Sequence, residues 1–360
     1  MSVLRPKPPE DPISLLLGPL AAAASEPLAR LSQLSWEHAA AGLRPEQLLD
    51  NYMRDRTSSE LFRALATARE LREAVDAVVV ICDEPLGHGI QGLFETCCHP
   101  FHNALSRGER GGRPRLFFDV GPPDPDRTAG LLDLQAAARG NDLLDRWGVV
   151  RIVAREPAPR SAAPVEGLLR AGQLEDALGR PIAACPSLLL TAAAGPCGDV
   201  FTPALLITAS LAGIDVVRFL SGGVAMLRRF VEASPESNPP LLLAAAMWAV
   251  AAAPQPGRLS LDTTLAPATT ALARWWASDA EAESGLATPL QHSCLLTVRQ
   301  PRRGSLPPPS PSPGCGDGEG SPLPSRLSID LPRLDEHTVG QLLAMRLLAL
   351  HVLALQAAAT

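Results

Sequence analysis

Residues 76–103 have the sequence DAVVVICDEPLGHGIQGLFETCCHPFHN, and this stretch decides the fold. The apolar, β-branched run at 77–81 predicts a strand that is buried on both faces, as in a parallel sheet. A turn with Pro85 follows, and a helical pattern then continues to Thr96. A strand, a turn and a helix in this order are typical of the ligand-binding half of a doubly wound α/β domain, where the helix N-terminus can hold an anion. The turn at 82–85 is CDEP, however, and its two carboxylates would repel a phosphate.

The alternation of strands and helices continues on both sides of this stretch. Apolar runs predict further strands at 115–120, 148–154 and 187–192. Apolar residues at helical spacing predict helices at 43–75, 131–146 and 165–178. Ser58-Ser59-Glu60 is a possible helix start inside the first of these. This alternation indicates a parallel sheet, and residues 43–194 are therefore predicted to be a first α/β domain.

A second, shortened domain is predicted at 195–360, and residues 1–42 are expected to be a loose N-terminal arm. Apolar runs in the second domain predict helices at 204–219, 224–233, 241–253, 268–282 and 335–357, with SNPP at 237–240 as the break before the third. Short strands are predicted at 259–261, 295–298 and 327–330. The segment 304–325 is rich in proline, glycine and serine and is predicted to be a disordered insert.

Composition excludes several classes of function. The net charge is −6, and the basic stretch at 107–115 (RGERGGRPR) is interpreted as a surface loop that favours solubility, so no nucleic acid is expected. Seven cysteines are an odd number in a long chain, which favours a reducing cytoplasm and no disulfide framework. The absence of a CxxC pair argues against a zinc site. The apolar run at 241–253 is too short to span a bilayer, and the C-terminal run is interrupted by Arg346 and His351. Both are interpreted as buried helices, and no membrane partner is predicted.

Several stretches together resemble one family. They are AVVVICDEPLG from Ala77, HPFHNALSRGERGGRPRLFFD from His99, LAGIDVVRFLSGGVAMLRRF from Leu211, ESNPP from Glu236 and LPRLDEHTVGQLLAM from Leu331. In this order, from about residue 45 to about residue 350, they resemble the bacterial glucose-6-phosphate isomerases. The resemblance implies an α/β fold with two sugar-isomerase domains, each a doubly wound parallel sheet with flanking helices. It also implies a cytoplasmic homodimer with active sites between the subunits.

The family interconverts glucose 6-phosphate and fructose 6-phosphate, an aldose–ketose isomerisation of glycolysis and gluconeogenesis that needs no cofactor. A glutamate moves a proton through an enediolate, and a positive group stabilises the developing oxyanion. A histidine and a lysine help to open the sugar ring, and hydroxyl- and glycine-rich segments bind the phosphate.

Most of these groups are replaced in this chain. The family's glycine-rich turn falls on residues 80–84, where the glycines are missing, and its oxyanion-stabilising arginine falls on Cys197. No lysine occurs after Lys7. In place of the family's phosphate loop, the candidate substrate-binding residues are Arg155, Arg160 and Ser161, although the two arginines are preferably interpreted as solvated loop residues.

Two catalytic positions of the family have candidates here. Glu283 is the candidate base, with Glu281 as a rival, and an exposed glutamate at a helix end is the alternative interpretation. His292 is the candidate for ring opening, although an apolar run follows it where the family is polar.

Three other polar groups are given structural interpretations. Residues 335–337 (DEH) suit the N-terminus of a helix, whose dipole favours acidic residues. His99 and His102 have a spacing that could bind a metal, but without a third ligand they are interpreted as surface histidines, and no metal site is predicted.

The sequence therefore leaves three hypotheses. The first is an active glucose-6-phosphate isomerase. The second, which the lost motifs favour, is a degenerate member with weak or no activity that serves as a non-catalytic scaffold. The third is a protein that senses a sugar phosphate without turnover, which would need a phosphate site built from Arg155, Arg160 or a helix N-terminus.

Overall fold

The computed structural model describes residues 12–34, 43–82, 86–121, 125–138, 146–154, 187–192, 200–253, 257–262, 267–278, 290–300 and 326–359. The strands in these ranges are β1 (Ser14–Leu16), β2 (Ala77–Cys82), β3 (Arg115–Val120), β4 (Trp147–Ala154), β5 (Ser187–Ala192), β6 (Gly257–Asp262), β7 (Leu290–Gln300) and β8 (Arg326–Arg333). The α-helices are α1 (Ala21–Leu31), α2 (Pro45–Arg54), α3 (Glu60–Ala74), α4 (Leu86–Cys97), α5 (Pro125–Ala138), α6 (Pro203–Ala212), α7 (Val216–Glu232), α8 (Pro239–Ala251), α9 (Thr270–Ser278) and α10 (Glu336–Ala359). The predicted helix at 165–178 and the predicted insert at 304–325 lie outside the described residues.

The chain forms two compact units. Residues 50–216 form one, called here the central unit, and residues 1–49 together with 217–360 form the other, called the terminal unit. Each unit contains one four-stranded sheet. Both units combine helices with parallel strands, so the predicted α/β class is confirmed.

The sheet of the central unit has the strand order β3-β2-β4-β5, and all neighbouring strands in it are parallel. One face of its middle strands is fully buried by Val78, Val80, Val150 and Ile152. Val79 and Ile81 on the other face of β2 are only half-buried, so the prediction of a strand buried on both faces holds for one face. All the strands predicted for this region are confirmed. The helix predicted at 43–75 is instead two helices, α2 and α3, because Ser59 caps the second by accepting a hydrogen bond from the backbone N–H of Phe62.

The sheet of the terminal unit has the order β1-β8-β7-β6. β6, β7 and β8 are parallel, and β1 is an antiparallel edge strand on β8. Residues 12–31 are therefore part of this unit, and the expectation of a loose arm is wrong for them. The physical reason is burial, since Ile13, Leu20 and Leu31 are fully shielded from solvent.

Helix α7 spans residues 219–224, where the sequence predicted a break between two helices. The helix runs without interruption through Gly222 and Gly223, and the break lies earlier, at Gly213, which has a φ of +80°. Gly222 is needed for packing, because a Cβ atom on it would lie 2.0 Å from the carbonyl oxygen of His337 in α10. Asn238 caps the next helix, α8, which confirms the predicted break at 237–240.

Helix α10 is long and apolar enough, by length and composition, to cross a membrane. Residues 338–349 are buried inside the unit, however, which is the pattern of a core helix and confirms the predicted burial. Its one buried cation, Arg346, lies with its guanidinium carbon 4.3 Å from the ring centroid of Trp275 and donates a hydrogen bond to the carbonyl of Trp276. α8 is also buried over most of its length, as predicted.

Candidate functional site

The carboxyl edge of the central sheet is the place where this fold can bind a ligand. In open α/β sheets, ligands bind beyond the carboxyl ends of the strands, where the strand order reverses. Here the chain passes from β2 to β3 on one side and then to β4 on the other, so that point lies between β2 and β4. Cys82 at the end of β2 is in register with Ile152 near the end of β4. The carboxyl ends of β2 and β4 therefore lie side by side.

The start of α4 is packed closely against this edge. A Cβ atom on Gly87 would lie 2.6 Å from a methyl carbon of Val120 and 3.2 Å from the Cβ of Cys82. Only glycine permits this approach of the helix to the ends of β2 and β3, and the third glycine of dinucleotide-binding turns has the same packing role. The turn at 83–85 lies outside the described residues.

A buried carboxylate lies beside this edge, at the end of β3. Asp119 is only 7% exposed. Its Oδ1 accepts a hydrogen bond of 3.4 Å from Nη1 of Arg127, which also donates to the carbonyl of Val120 at 3.1 Å. Arg127, from the first turn of α5, is about half-exposed and fixes the end of this strand. This pair was not predicted from the sequence, although the charged residue inside the apolar run LFFDV was a usable signal.

Most of the residues singled out in the sequence lie outside the described part of the chain. These are Glu283, its rival Glu281, Arg155, Arg160 and Ser161, so their roles stay predictions. The backbone of His292 is described and lies in β7, in register with Leu259 of β6.

The basic stretch at 107–115 corrects the expectation of a simple surface loop. Arg110 is 3% exposed, and Arg107, Arg110 and Arg115 converge on the buried carboxylate of Asp76, with N–O distances of 2.7, 3.4 and 3.9 Å. Because Asp76 precedes β2, this cluster lies at the amino edge of the sheet, opposite the ligand edge.

The remaining donors of this cluster bind the backbone of the loop that follows α4 and of the chain before β2. Arg107 donates to the carbonyls of Val75 and Arg72, at 3.1 Å each. Arg110 donates to the carbonyls of Arg113 and Leu105. The guanidinium groups are therefore used to hold the loop, and the cluster is a structural one.

His102 is also buried, which corrects its interpretation as a surface histidine, whereas His99 is exposed as expected. Its Nε2 lies 3.1 Å from the carbonyl oxygen of Pro114 and must carry the proton, because a carbonyl can only accept. Burial lowers the pKa of this imidazole, and the nearby cations Arg110 and Arg113 lower it further, against the opposing effect of the Pro114 hydrogen bond. His102 thus packs in its neutral form, against the edge of the Phe94 ring.

A second group of charges lies at the carboxyl edge of the terminal sheet, between β8 and α10. Oδ1 of Asp335 accepts a hydrogen bond of 2.9 Å from the backbone N–H of Thr338 and so caps α10, as the sequence predicted. Its Oδ2 pairs with Arg333 at 2.7 Å and with Arg218 of α7 at 2.9 Å. No local pattern indicated Arg218, which is 117 residues away.

His337 follows this cap and is held in a partly buried position. Nε2 of Gln341 donates to its Nδ1 at 3.1 Å. Burial lowers the pKa of His337; Asp335 opposes that shift, and Arg218 and Arg333 add to it. In the part of the chain that the structure describes, no group of three or more His, Cys, Asp or Glu side chains could hold a metal ion.

Comparison with known proteins supports the architecture and goes no further. No protein-family model and no curated protein sequence matches the chain. A solved structure of a hypothetical protein from Thermus thermophilus is similar over 96% of this chain and 94% of its own, with 14% identity and a TM-score of 0.59.

A glucose-6-phosphate isomerase from Chlamydia trachomatis is similar over 82% of this chain and 68% of its own, with 15% identity and a TM-score of 0.56. The chain shares the fold of this isomerase. At this identity the likeness concerns the fold alone, and the side chains decide what the protein does.

Proposed function

We propose that this chain is a sugar-isomerase-fold protein of the glucose-6-phosphate isomerase type, with two sugar-isomerase domains and with weak or no isomerase activity. The observation that carries the proposal is a contrast between a fold shared with an isomerase at a TM-score of 0.56 and the residues at its ligand edge. The sequence after β2 supplies Asp83 and Glu84 where an anion site needs glycines and hydroxyls. By the sequence resemblance, Cys197 falls at the position of the family's oxyanion-stabilising arginine. Loss of one such donor costs other enzymes about 10²–10³ in rate.

Sensing of a sugar phosphate is the second candidate function, and one observation favours it. β2 and β4 are adjacent and parallel, and in the sequence Asp83 comes directly after β2 and Arg155 directly after β4. Arg155, Arg160 and Ser161 could then supply cations and a hydroxyl for a phosphate. Binding would need only these contacts, whereas turnover would also need Glu283 as the base and His292 for ring opening. A cytoplasmic homodimer without bound nucleic acid, metal or cofactor belongs to the same proposal.

A coupled assay for the conversion of fructose 6-phosphate to glucose 6-phosphate tests the proposal. We expect the purified, folded protein to show no turnover that depends on Glu283, even at high enzyme concentration. Turnover that Glu283→Gln abolishes and Glu281→Gln leaves intact would contradict the proposal, because the site would then have been rebuilt around other groups.

Binding is tested separately by thermal unfolding with fructose 6-phosphate, fructose and inorganic phosphate. A rise in Tm with fructose 6-phosphate alone, lost in the double variant Arg155→Ala/Arg160→Ala, is the result expected of a sensor. If none of the three compounds raises the Tm, the hypothesis of a non-catalytic scaffold is favoured over that of a sensor.

A further inference from the structure

The segment that leads into β1 is held by two side chains from different helices. The backbone N–H of Ile13 donates to Oε1 of Gln341 in α10 at 3.5 Å, and its carbonyl accepts from Nη1 of Arg229 in α7. Ile13 is fully buried, so both backbone groups need these partners. Residues 12–16 are called here the N-terminal strap.

The strap lies towards the carboxyl end of β8. β1 is antiparallel to β8, with Ser14 in register with Asp330 and Leu16 with Ser328. Ile13, which precedes β1, therefore lies towards Arg333 and the start of α10.

Gln341 connects this strap to His337. The amide nitrogen of Gln341 can only donate, so Nδ1 of His337 accepts and the ring is neutral in this arrangement. The orientation of the amide is set from its other end, because Oε1 faces the N–H of Ile13. Gln341 is only 1% exposed, and water cannot easily replace either partner.

A proton on His337 would turn this arrangement into a conflict. Protonated Nδ1 is a donor, so Gln341 would have to rotate its oxygen towards His337. The amide nitrogen would then face the N–H of Ile13, and two donors would meet in a buried place. One of the two hydrogen bonds must be lost, and the neutral ring is the state that keeps both.

The backbone around His337 cannot move to relieve the conflict. A Cβ atom on Gly222 would lie 2.0 Å from the carbonyl oxygen of His337, and one on Gly340 would lie 2.1 Å from that of Phe219. The two helices therefore touch backbone to backbone at the first turn of α10. The groups that can move are therefore the side chains and the strap, which lies at the edge of its sheet.

The charges around His337 set the direction of the effect. Asp335, two residues before His337, favours the imidazolium form of His337. The same carboxylate pairs with Arg333 at the end of β8 and with Arg218 of α7, and both arginines disfavour the imidazolium. Burial acts in the same direction as the arginines, so the pKa of His337 lies below its ordinary value. Because the folded state disfavours a proton on His337, the stabilisation from the neutral ring is complete above about pH 6.5 and is lost as the pH falls below that value.

We propose that His337, Gln341 and Ile13 form a pH-sensitive latch that releases the N-terminal strap from β8 when His337 takes up a proton. The latch is independent of isomerase activity and of sugar-phosphate binding. Release would free the edge of β8 at the end that leads into α10, the carboxyl edge of the terminal sheet.

Hydrogen–deuterium exchange of the strap tests the latch in the full chain between pH 7.5 and 5. After correction for the intrinsic rate, the protection of residues 13–16 should fall about three- to tenfold as the pH decreases, the loss expected for one hydrogen bond. The peptide containing β2, in the central unit, should show no such change and serves as the internal reference.

Three variants separate the latch from a general effect of acid. His337→Gln should make the protection of the strap independent of pH over this range, and His351→Gln, on the same helix, should leave the wild-type response intact. Gln341→Glu should reverse the response, because a carboxylate accepts from both the imidazolium and the N–H of Ile13. Strap protection that is independent of pH in the wild type, or the same response in His337→Gln, would overturn the proposal.

Discussion

Two clusters in this protein each contain one aspartate and more than one arginine, yet they have different roles. The side chain of Asp76 is 4% exposed, and it lies at the amino edge of the central sheet with Arg107, Arg110 and Arg115. The side chain of Asp335 is 17% exposed, and it lies at the carboxyl edge of the terminal sheet. Its two arginines are each about half-exposed.

Burial, more than residue type, determines the role of each of these clusters. Around Asp76 the guanidinium donors are used on backbone carbonyls, and removal of the carboxylate would leave a buried cation. Around Asp335 water can reach both arginines, so the ion pairs add little to the stability of the folded state. The main stabilising role of Asp335 is the cap that it provides for α10. Only the second cluster lies at an edge where parallel sheets bind ligands.

The largest effect is expected for Asp76→Asn. It leaves Arg110, whose side chain is fully buried, without its carboxylate, and breaking a buried pair in this way costs about 3–5 kcal/mol. The free energy of unfolding should fall by about that amount in urea titrations. Asp335→Asn is the matched control and should cost about 1 kcal/mol. Equal losses in the two variants would remove the distinction between the clusters.

A smaller effect is expected for Gly340→Ala, which tests the helix contact behind the Asp335 cluster. Its methyl group would lie 2.1 Å from the carbonyl oxygen of Phe219, so the two helices must separate. We expect a loss of about 1–3 kcal/mol in urea titrations.

Gly130→Ala in α5 is the matched control for this substitution. No atom lies within 4 Å of its added methyl group, and alanine should stabilise this helix by up to about 1 kcal/mol. A neutral Gly340→Ala variant would show that α7 and α10 are not in backbone contact.

The smallest effect is expected for His102, which packs beside the Asp76 cluster. Burial lowers the pKa of its imidazole, so the folded state favours the neutral ring. The stabilisation is complete above about pH 6.5 and is lost as the pH falls below that value. His102→Gln should therefore flatten the decline of unfolding free energy between pH 7 and 5, whereas His99→Gln, an exposed neighbour, should not. An unchanged slope in His102→Gln would mean that this buried ring takes up its proton without cost.

Much of the fold followed from local patterns, and the failures have identifiable causes. The strands at 115–120 and 187–192 were predicted at their observed limits, because apolar runs bounded by turn residues are a local signal. Residues 220–223 were left out of the predicted helices at 204–219 and 224–233, whereas Gly222 and Gly223 lie inside α7 and Gly222 packs closely on α10.

The side-chain clusters were less accessible from sequence than the fold. Arg110 was interpreted as a surface residue and His102 as a surface histidine, because charge normally indicates exposure. Arg110 is paired in the interior with Asp76, which lies 34 residues before it. No local pattern reports a pairing over such a distance.

Local sequence patterns were enough to predict the α/β class, most of the strands and the cap of α10, because each depends on residues that are close together along the chain. The tertiary structure was needed to show which charges meet, that residues 14–16 join a sheet, and that His337 is linked to Ile13 through Gln341. The physical reason is that burial and hydrogen-bond partners arise between residues far apart in sequence. The link between Ile13 and Gln341 spans 328 positions.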